Sequence, residues 1–192
     1  MVGFESAGAG DEANVVRTLV SAFVEDPWER WAWPQPQDYF RHFPTFVAAF
    51  GGPAFAQHTV WILPDFAAVA MWMPPGAEPD ADAIVAALTQ TISREKHDDI
   101  FSVLEQMDAV HPTYEHWYLP WLGVDRGRTG GGLGSELLAQ CLAVVDADRL
   151  PAFLETPNPR TIPFYERHGF EVVNVAEVGA SPAVTSMLRP SR

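Results

Sequence analysis

Between Val124 and Glu136 the chain reads Asp125-Arg126-Gly127-Arg128-Thr129-Gly130-Gly131-Gly132-Leu133-Gly134-Ser135. A glycine turn of this kind at the entry to a helix leaves several backbone N–H groups facing the positive end of the helix dipole, which is a nest for phosphate. Glycine is needed where a side chain would block the anion or where φ is positive. Taken alone, the same residues serve a flexible turn equally well. No Gly-Lys-Ser/Thr closes the segment, and the spacing of Gly130, Gly132 and Gly134 misses the dinucleotide fingerprint, so neither a P-loop nor a Rossmann turn is predicted. His116 and Tyr118 fall on one face of an aromatic stretch, with Glu115 and Trp117 on the other. A histidine there either takes a proton near neutrality or is a satisfied structural group. Glu155, at the end of a short strand, is a comparable candidate base. In Glu25-Asp26-Pro27-Trp28-Glu29-Arg30-Trp31-Ala32-Trp33-Pro34, carboxylates stand among large flat side chains. That pattern suits a cation on an aromatic or apolar body, and it suits plain packing as well. His97-Asp98-Asp99 has no further ligands at a fixed spacing, so no metal site is predicted. Cys141, beside Leu137 and Leu138, is read as a small core hydrophobe.

The elements that must position these residues follow from periodicity and breakers. A short edge strand or frayed start precedes Asp11. A helix from there places Val15, Val16, Leu19, Val20 and Phe23 on one face and stops at Asp26-Pro27. A second, from about Gln37, is interrupted at Pro44 and ends at Gly51-Gly52-Pro53. His58–Leu63 and Phe66–Met73 form a hairpin about Pro64-Asp65. Asp80–Asp108 is helical with a break near Glu95–Asp99. Tyr114–Val124 is a buried strand in which Pro120 removes a ladder donor and predicts a bulge or a splayed edge. A helix from Leu133 to Asp148, a strand Ala152–Glu155, a short helix Thr161–His168 and strands near Glu171–Val178 and Val184–Leu188 complete one domain over residues 1–192. The order predicts an α/β fold, a mixed sheet covered by helices.

Two segments together resemble the GNAT superfamily of N-acetyltransferases. The family's acyl-CoA loop, Val-x-Pro-x-x-(Gln or Arg)-Gly-x-Gly-(Ile or Leu)-Gly, falls in register on Val124, Thr129, Gly130, Gly132, Leu133 and Gly134. Its later motif, Asn and then Phe-Tyr-x-x-x-Gly-Phe, falls on Asn158, Phe164, Tyr165, Gly169 and Phe170. The resemblance is firm over Tyr114–Val173. Within the superfamily, Pro151–Thr156, Pro159-Arg160 and Pro163–Arg167 carry the nearest likeness, to enzymes that acetylate an aminonucleoside antibiotic. Thr129 departs from the usual Gln or Arg and Arg126 from the usual proline, so a phosphate contact from a long side chain falls to Arg126 or Arg128.

The resemblance implies a mostly antiparallel central sheet with a splayed strand pair and helices on both faces. It also implies direct acetyl transfer from acetyl-CoA to a primary amine in a ternary complex. Implied CoA contacts are Leu122, Gly123, Val124, Arg128, Thr129, Gly130, Gly131, Gly132, Leu133, Gly134, Ser135, Asn158, Phe164 and Tyr165. Tyr165 takes the place of the family's tyrosine near the CoA sulfur, as the acid for the thiolate; His116 and Glu155 are the candidate bases. Asp26, Trp28, Trp31 and Tyr118 are expected to line the acceptor side. The predicted acceptor is a small amine, with a peptide or protein amine, or a non-catalytic acyl-CoA sensor, as alternatives.

Composition narrows the partners. Twelve Lys plus Arg against 25 Asp plus Glu, a formal charge of -13, exclude nucleic acid and anionic membranes. CoA must then bind through local devices, while the acidic excess favours a cationic amine. One cysteine rules out an internal disulfide. The absence of a leader or a long apolar run predicts a cytoplasmic protein, as monomer or homodimer.

Overall fold

The computed structural model describes residues 3–192. A two-residue strand β1 (Glu5–Ser6) leads into α1 (Glu12–Phe23), which buries Val15, Thr18 and Leu19 at helical spacing. Asp26 caps α2 (Pro27–Ala32) by accepting from the Trp28 amide, and Pro27 takes the first helical position, where it gives up no hydrogen bond. α3 (Pro36–Gly51) runs straight through Pro44, where an interruption was expected. Burial of Tyr39, Phe43, Phe46 and Val47 on one face outweighs the bond the proline removes. α4 (Pro53–Ala56) leads to the hairpin β2 (Val60–Ile62) and β3 (Ala68–Met73), whose strands are shorter than predicted because Asp65 and Phe66 take left-handed φ in the connection. α5 (Ala81–Thr91) and α6 (His97–Asp108) follow, then β4 (Trp117–Val124), α7 (Leu133–Ala147), β5 (Ala152–Thr156), α8 (Ile162–Arg167), β6 (Glu171–Ala176) and β7 (Val184–Arg189).

The strands form one sheet in the order β1-β2-β3-β4-β5-β7-β6, antiparallel throughout except for the β4–β5 pair. Alternation along β3 sends Val69, Met71 and Met73 into a core with α1, α3, α5 and α6, and Ala68, Ala70 and Trp72 into a second core with α7 and Tyr165 of α8. Helices therefore cover both faces.

On β4 that alternation breaks. Met71 lies opposite Trp121 and Met73 opposite Tyr118, so Leu119 and Pro120 together oppose Trp72 alone: a β-bulge at the proline. Its consequence is a change of parity. Leu119 faces the α7 side, and Trp121, two residues on, faces the opposite side with Tyr118.

α1 lies directly on this strand. A Cβ at Gly123 would meet Ala22 Cβ at 2.8 Å and Leu19 Cδ2 at 2.9 Å. Both contacts are with a packed helix, so Gly123→Val is expected to cost about 1–3 kcal/mol by overpacking. The check is thermal melting, with a fall in Tm of several degrees expected.

Candidate active site

β4 and β5 are hydrogen-bonded at only two registers, Trp117 with Ala152 and Tyr118 with Phe153. Beyond them the strands part, and a cavity of about 380 Å³ opens in the gap. Leu119 to Val124 line one wall, Glu155 to Asn158 the other, and Tyr165 and Thr129 also face it. The polar turn after β5 is self-satisfied. Thr161 bonds the Asn158 carbonyl through both its amide and its hydroxyl, the Thr156 and Thr161 hydroxyls lie 2.7 Å apart, and Asn158 Oδ1 accepts from the Arg160 amide. This turn starts α8 and points Tyr165 at the gap. Tyr165 is 9% exposed. Burial first, and then the charge of Asp26, hold its phenol pKa well above the ordinary value, so it stays protonated at neutral pH.

The glycine turn adjoins the cavity through Val124 and Thr129, while the predicted contacts Arg128 and Gly130 to Ser135 do not line it. Gly130 and Gly132 have φ of 84° and 80°, and a Cβ at Gly130, Gly131 or Gly132 would meet nothing within 4 Å. The first amide of α7 to reach back is that of Glu136, bonding the Gly132 carbonyl at 2.9 Å. The amides of Leu133, Gly134 and Ser135 precede it and have no carbonyl within the helix to meet. Gly134 is needed for space, since its Cβ would crowd Val124 Cγ2 at 3.2 Å. Arg126 is engaged by Glu25 in an ion pair, whereas Arg128 has only a loose contact with Asp65 at 3.9 Å. The nest thus keeps its backbone donors and open space, which fits a pyrophosphate, and Arg128 is the freer cation beside it. Phe164 and Leu133 pack into the α7-side core and do not line the cavity. The Ser135 hydroxyl lies 2.8 Å from His168 Nε2.

At its other end the cavity is lined by Asp26, Trp28, Glu29, Phe46, Phe50 and Trp121. Trp28 stacks on Phe46 with ring centroids 5.5 Å apart, and Trp121 meets Phe46 and Phe50 edge-on. Glu29 is 3% exposed and its Oε2 has no hydrogen-bond partner. Burial, then the neighbouring Asp26 charge, push its carboxyl well above the usual range. Asp26 is raised to about 6 by burial, against the lowering effect of the Trp28 and Glu29 amides. Sequence reasoning placed Asp26 and Trp28 here and passed over Glu29, whose position one helical turn after Asp26 was the available signal. Trp31 lies outside the cavity, under the Lys96 ammonium 5.3 Å from its ring.

The two candidate bases part company. Glu155 lines this cavity and also a second one, of about 520 Å³, beside it; His116 lines only the second. There His116 meets His111, which no spacing in the sequence had marked. Tyr118 stands between the cavities, its phenol pKa raised by burial first and then by the charge of Glu155. Asp99 is occupied as acceptor for the Ala180 amide, and His97 Nε2 lies 3.1 Å from the Ile92 carbonyl. Among the described residues no group of metal-ligating side chains occurs, and no helix is long and apolar enough to cross a membrane.

The sequence profile of the acetyltransferase (GNAT) family matches residues 24–170, the segment that builds both cavity walls and the glycine turn. The chain belongs to the GNAT acetyltransferase family. It is 27% identical over 120 residues to an uncharacterized N-acetyltransferase of Schizosaccharomyces pombe, a match covering 55% of this chain and 48% of that protein. The chain therefore spans about half the length of that relative. Two solved structures share the fold. One is described as histone acetyltransferase HPA2 and related acetyltransferase from Corynebacterium glutamicum, with TM-score 0.70 and 22% identity over 98% of this chain and 96% of the other. The other is arylalkylamine N-acetyltransferase 2 from Aedes aegypti, with TM-score 0.65 and 14% identity over 99% of each chain. This GNAT chain thus carries the predicted splayed pair and a sheet with both faces covered.

The raised Asp26 carboxyl makes a stability prediction. With a folded-state pKa of about 6 against an ordinary 3.8, its proton is bound more tightly in the folded chain, and its favourable contribution at low pH is lost as pH rises through 6. Asp26→Asn keeps the helix cap and removes the buried charge. It should raise stability at pH 7.5 by up to about 3 kcal/mol, read as a higher Tm that converges on wild type near pH 4.

Proposed function

We propose that this GNAT chain transfers the acetyl group of acetyl-CoA directly to the primary amine of a small cationic molecule with an aromatic or apolar body. The observation that carries this reading is the single cavity joining the strand gap to an aromatic pocket with two buried carboxyls that lack a cation. Buried charge is costly unless paired, so a pocket built this way favours a ligand that brings the positive charge. The Aedes neighbour, an arylalkylamine N-acetyltransferase, is consistent with such an acceptor. So is the likeness of Pro151–Thr156 and Pro163–Arg167 to puromycin N-acetyltransferase, which extends the reading to aminonucleosides and antibiotic-like amines.

When bound, acetyl-CoA supplies the thioester; the rest is done by this chain. The amides of Leu133 to Ser135 hold the pyrophosphate against the positive end of α7. β4 groups that face β5 beyond Tyr118 have no strand partner there and can pair with the pantetheine arm. An amide freed at the Leu119–Pro120 bulge polarises the thioester carbonyl as in an oxyanion hole. Asn158 has its Oδ1 committed to the turn, so its amide group is the part left for the cavity. Asp26 draws in the ammonium by charge, and the unpartnered Glu29 Oε2 is an acceptor for its N–H. Tyr165, kept protonated by burial, gives its proton to the leaving thiolate.

Two measurements test this. Millimolar CoA should raise the Tm by mass action, and no rise would sink the cofactor assignment. In a thiol-release assay over an amine panel including tryptamine, agmatine and puromycin, Tyr165→Phe should lower kcat by about 100-fold while the CoA-induced Tm rise stays unchanged. Undiminished turnover would remove Tyr165 from the role of acid.

A further inference from the structure

Beside the acceptor cavity lies a chain of proton-carrying groups that the fold assembles from two segments, the loop joining α6 to β4 and strand β5. Glu155 comes from β5, His111 from the loop after α6, and His116 from the residue before β4. His116 Nδ1 is 2.8 Å from the Tyr114 carbonyl, His116 Nε2 is 3.0 Å from His111 Nε2, and His111 Nδ1 is 3.7 Å from Glu155 Oε1.

These contacts determine the tautomers. A carbonyl oxygen only accepts, so His116 carries its proton on Nδ1 and donates it to Tyr114. Its Nε2 is then an acceptor, and the proton between the two rings belongs to His111 Nε2. That leaves His111 Nδ1 turned to the Glu155 carboxyl at 3.7 Å, the position at which the two can share one proton.

We infer that Glu155 and His111 form the proton-accepting pair for the acceptor amine, and that His116 is a positioning residue which fixes the tautomer of His111. The inference rests on the acyl-transfer reading. Glu155 is the member that reaches the reacting centre: its side chain is 6% exposed, its Oε2 is buried without a partner, and it lines both cavities. His111, with 31% of its side chain exposed, opens only to the outer cavity and so to solvent. The 3.7 Å gap is an ion-pair distance; catalytic contacts of this kind are often long before substrate is bound.

The proton balance closes. An N–H bond of the ammonium breaks and its proton passes to Glu155, then to His111 Nδ1. The electron pair left on nitrogen attacks the thioester carbon, and the C–S bond breaks as the thiolate takes the Tyr165 proton. The second proton lost from nitrogen, as the amide forms, restores Tyr165, and His111 releases the first to water. The groups facing His111 favour this outward path. Glu155 from β5, Tyr118 from β4 and His116 touch or adjoin it, Asp108 of α6, Glu78 and Glu115 line the same cavity, and no Lys or Arg does. Burial holds the His116 pKa below the ordinary histidine value, helped by His111, so it remains a neutral acceptor and does not compete for the proton.

The test combines two readouts on the full chain. In thiol release with tryptamine and agmatine, His111→Gln keeps a donor for His116 but cannot carry a proton. It should lower kcat/KM at pH 7 by about 100-fold and shift the rising limb of the pH profile up to the pKa of the amine, where free amine needs no base. His116→Gln, which retains an acceptor, should keep more activity than His116→Ala. Nitrogen-15 shifts of the imidazoles, which need no turnover, should show neutral His116 as the Nδ1–H form and neutral His111 as the Nε2–H form. An active wild type with an unchanged His111→Gln pH profile, or His116 found as the Nε2–H form, overturns the pair alone. A wild type that binds CoA yet releases no thiol with any amine overturns the transfer reading, and the pair with it.

Discussion

The parting of β4 from β5 after Tyr118 is the constraint on which the rest of this structure depends. Parallel strands that stay paired leave no room between them, and here pairing stops after two registers. The bulge at Leu119–Pro120 makes this stable. Proline offers no N–H to a neighbour, so losing the ladder at that point leaves one fewer donor unsatisfied. The extra residue also turns Trp121 to the Tyr118 side, where it closes the aromatic pocket, while Leu119 stays in the α7-side core. The bulge on the β3 side and the end of the β5 pairing thus fall at the same place on β4, and the bulge sets which side chains face each core.

Charge is distributed with the same division of labour. Over the whole chain the formal charge is -13, a field that opposes any phosphate. At the glycine turn it is met by backbone amides and a helix dipole, which act over a few ångströms and carry no net charge. At the opposite end of the cavity the acidic excess is concentrated and desolvated in Asp26 and Glu29. Carboxyls held in this state lower the stability of the empty fold, and sites arranged for a ligand commonly trade stability in this way. Arg189, by contrast, is a buried charge that is paired: it forks onto Asp146 and also donates to the His168 carbonyl, tying α7, β7 and the end of α8 together and holding the Asp146 carboxyl below its usual range.

Much of this was legible in the residues. Helical spacing from Val15 to Phe23, the Asp26-Pro27 stop, the glycine turn and Pro120 each encode a local rule, and each produced the element it predicted. Pro44 did not end its helix, because the cost of one lost bond is local whereas the burial that offsets it is summed along the whole α3 face. α2 went unread because six residues are too few to show a period. Trp31 was grouped with Trp28, and the two rings do touch, with centroids 6.1 Å apart, but Lys96 covers Trp31 and only Trp28 reaches the cavity.

By itself, then, the sequence determined most of the element order, the glycine turn, the bulge and the family, because these arise from residues near one another along the chain. Tertiary structure alone decided which carboxyls are desolvated and which histidine faces Glu155. Asp26 and Glu29 acquire raised pKa values only when α3 and β4 remove their water. His111 and Glu155 are forty-four positions apart in the chain and 3.7 Å apart in space. Proton affinity depends on what surrounds a group in three dimensions, and no spacing rule along the chain encodes that.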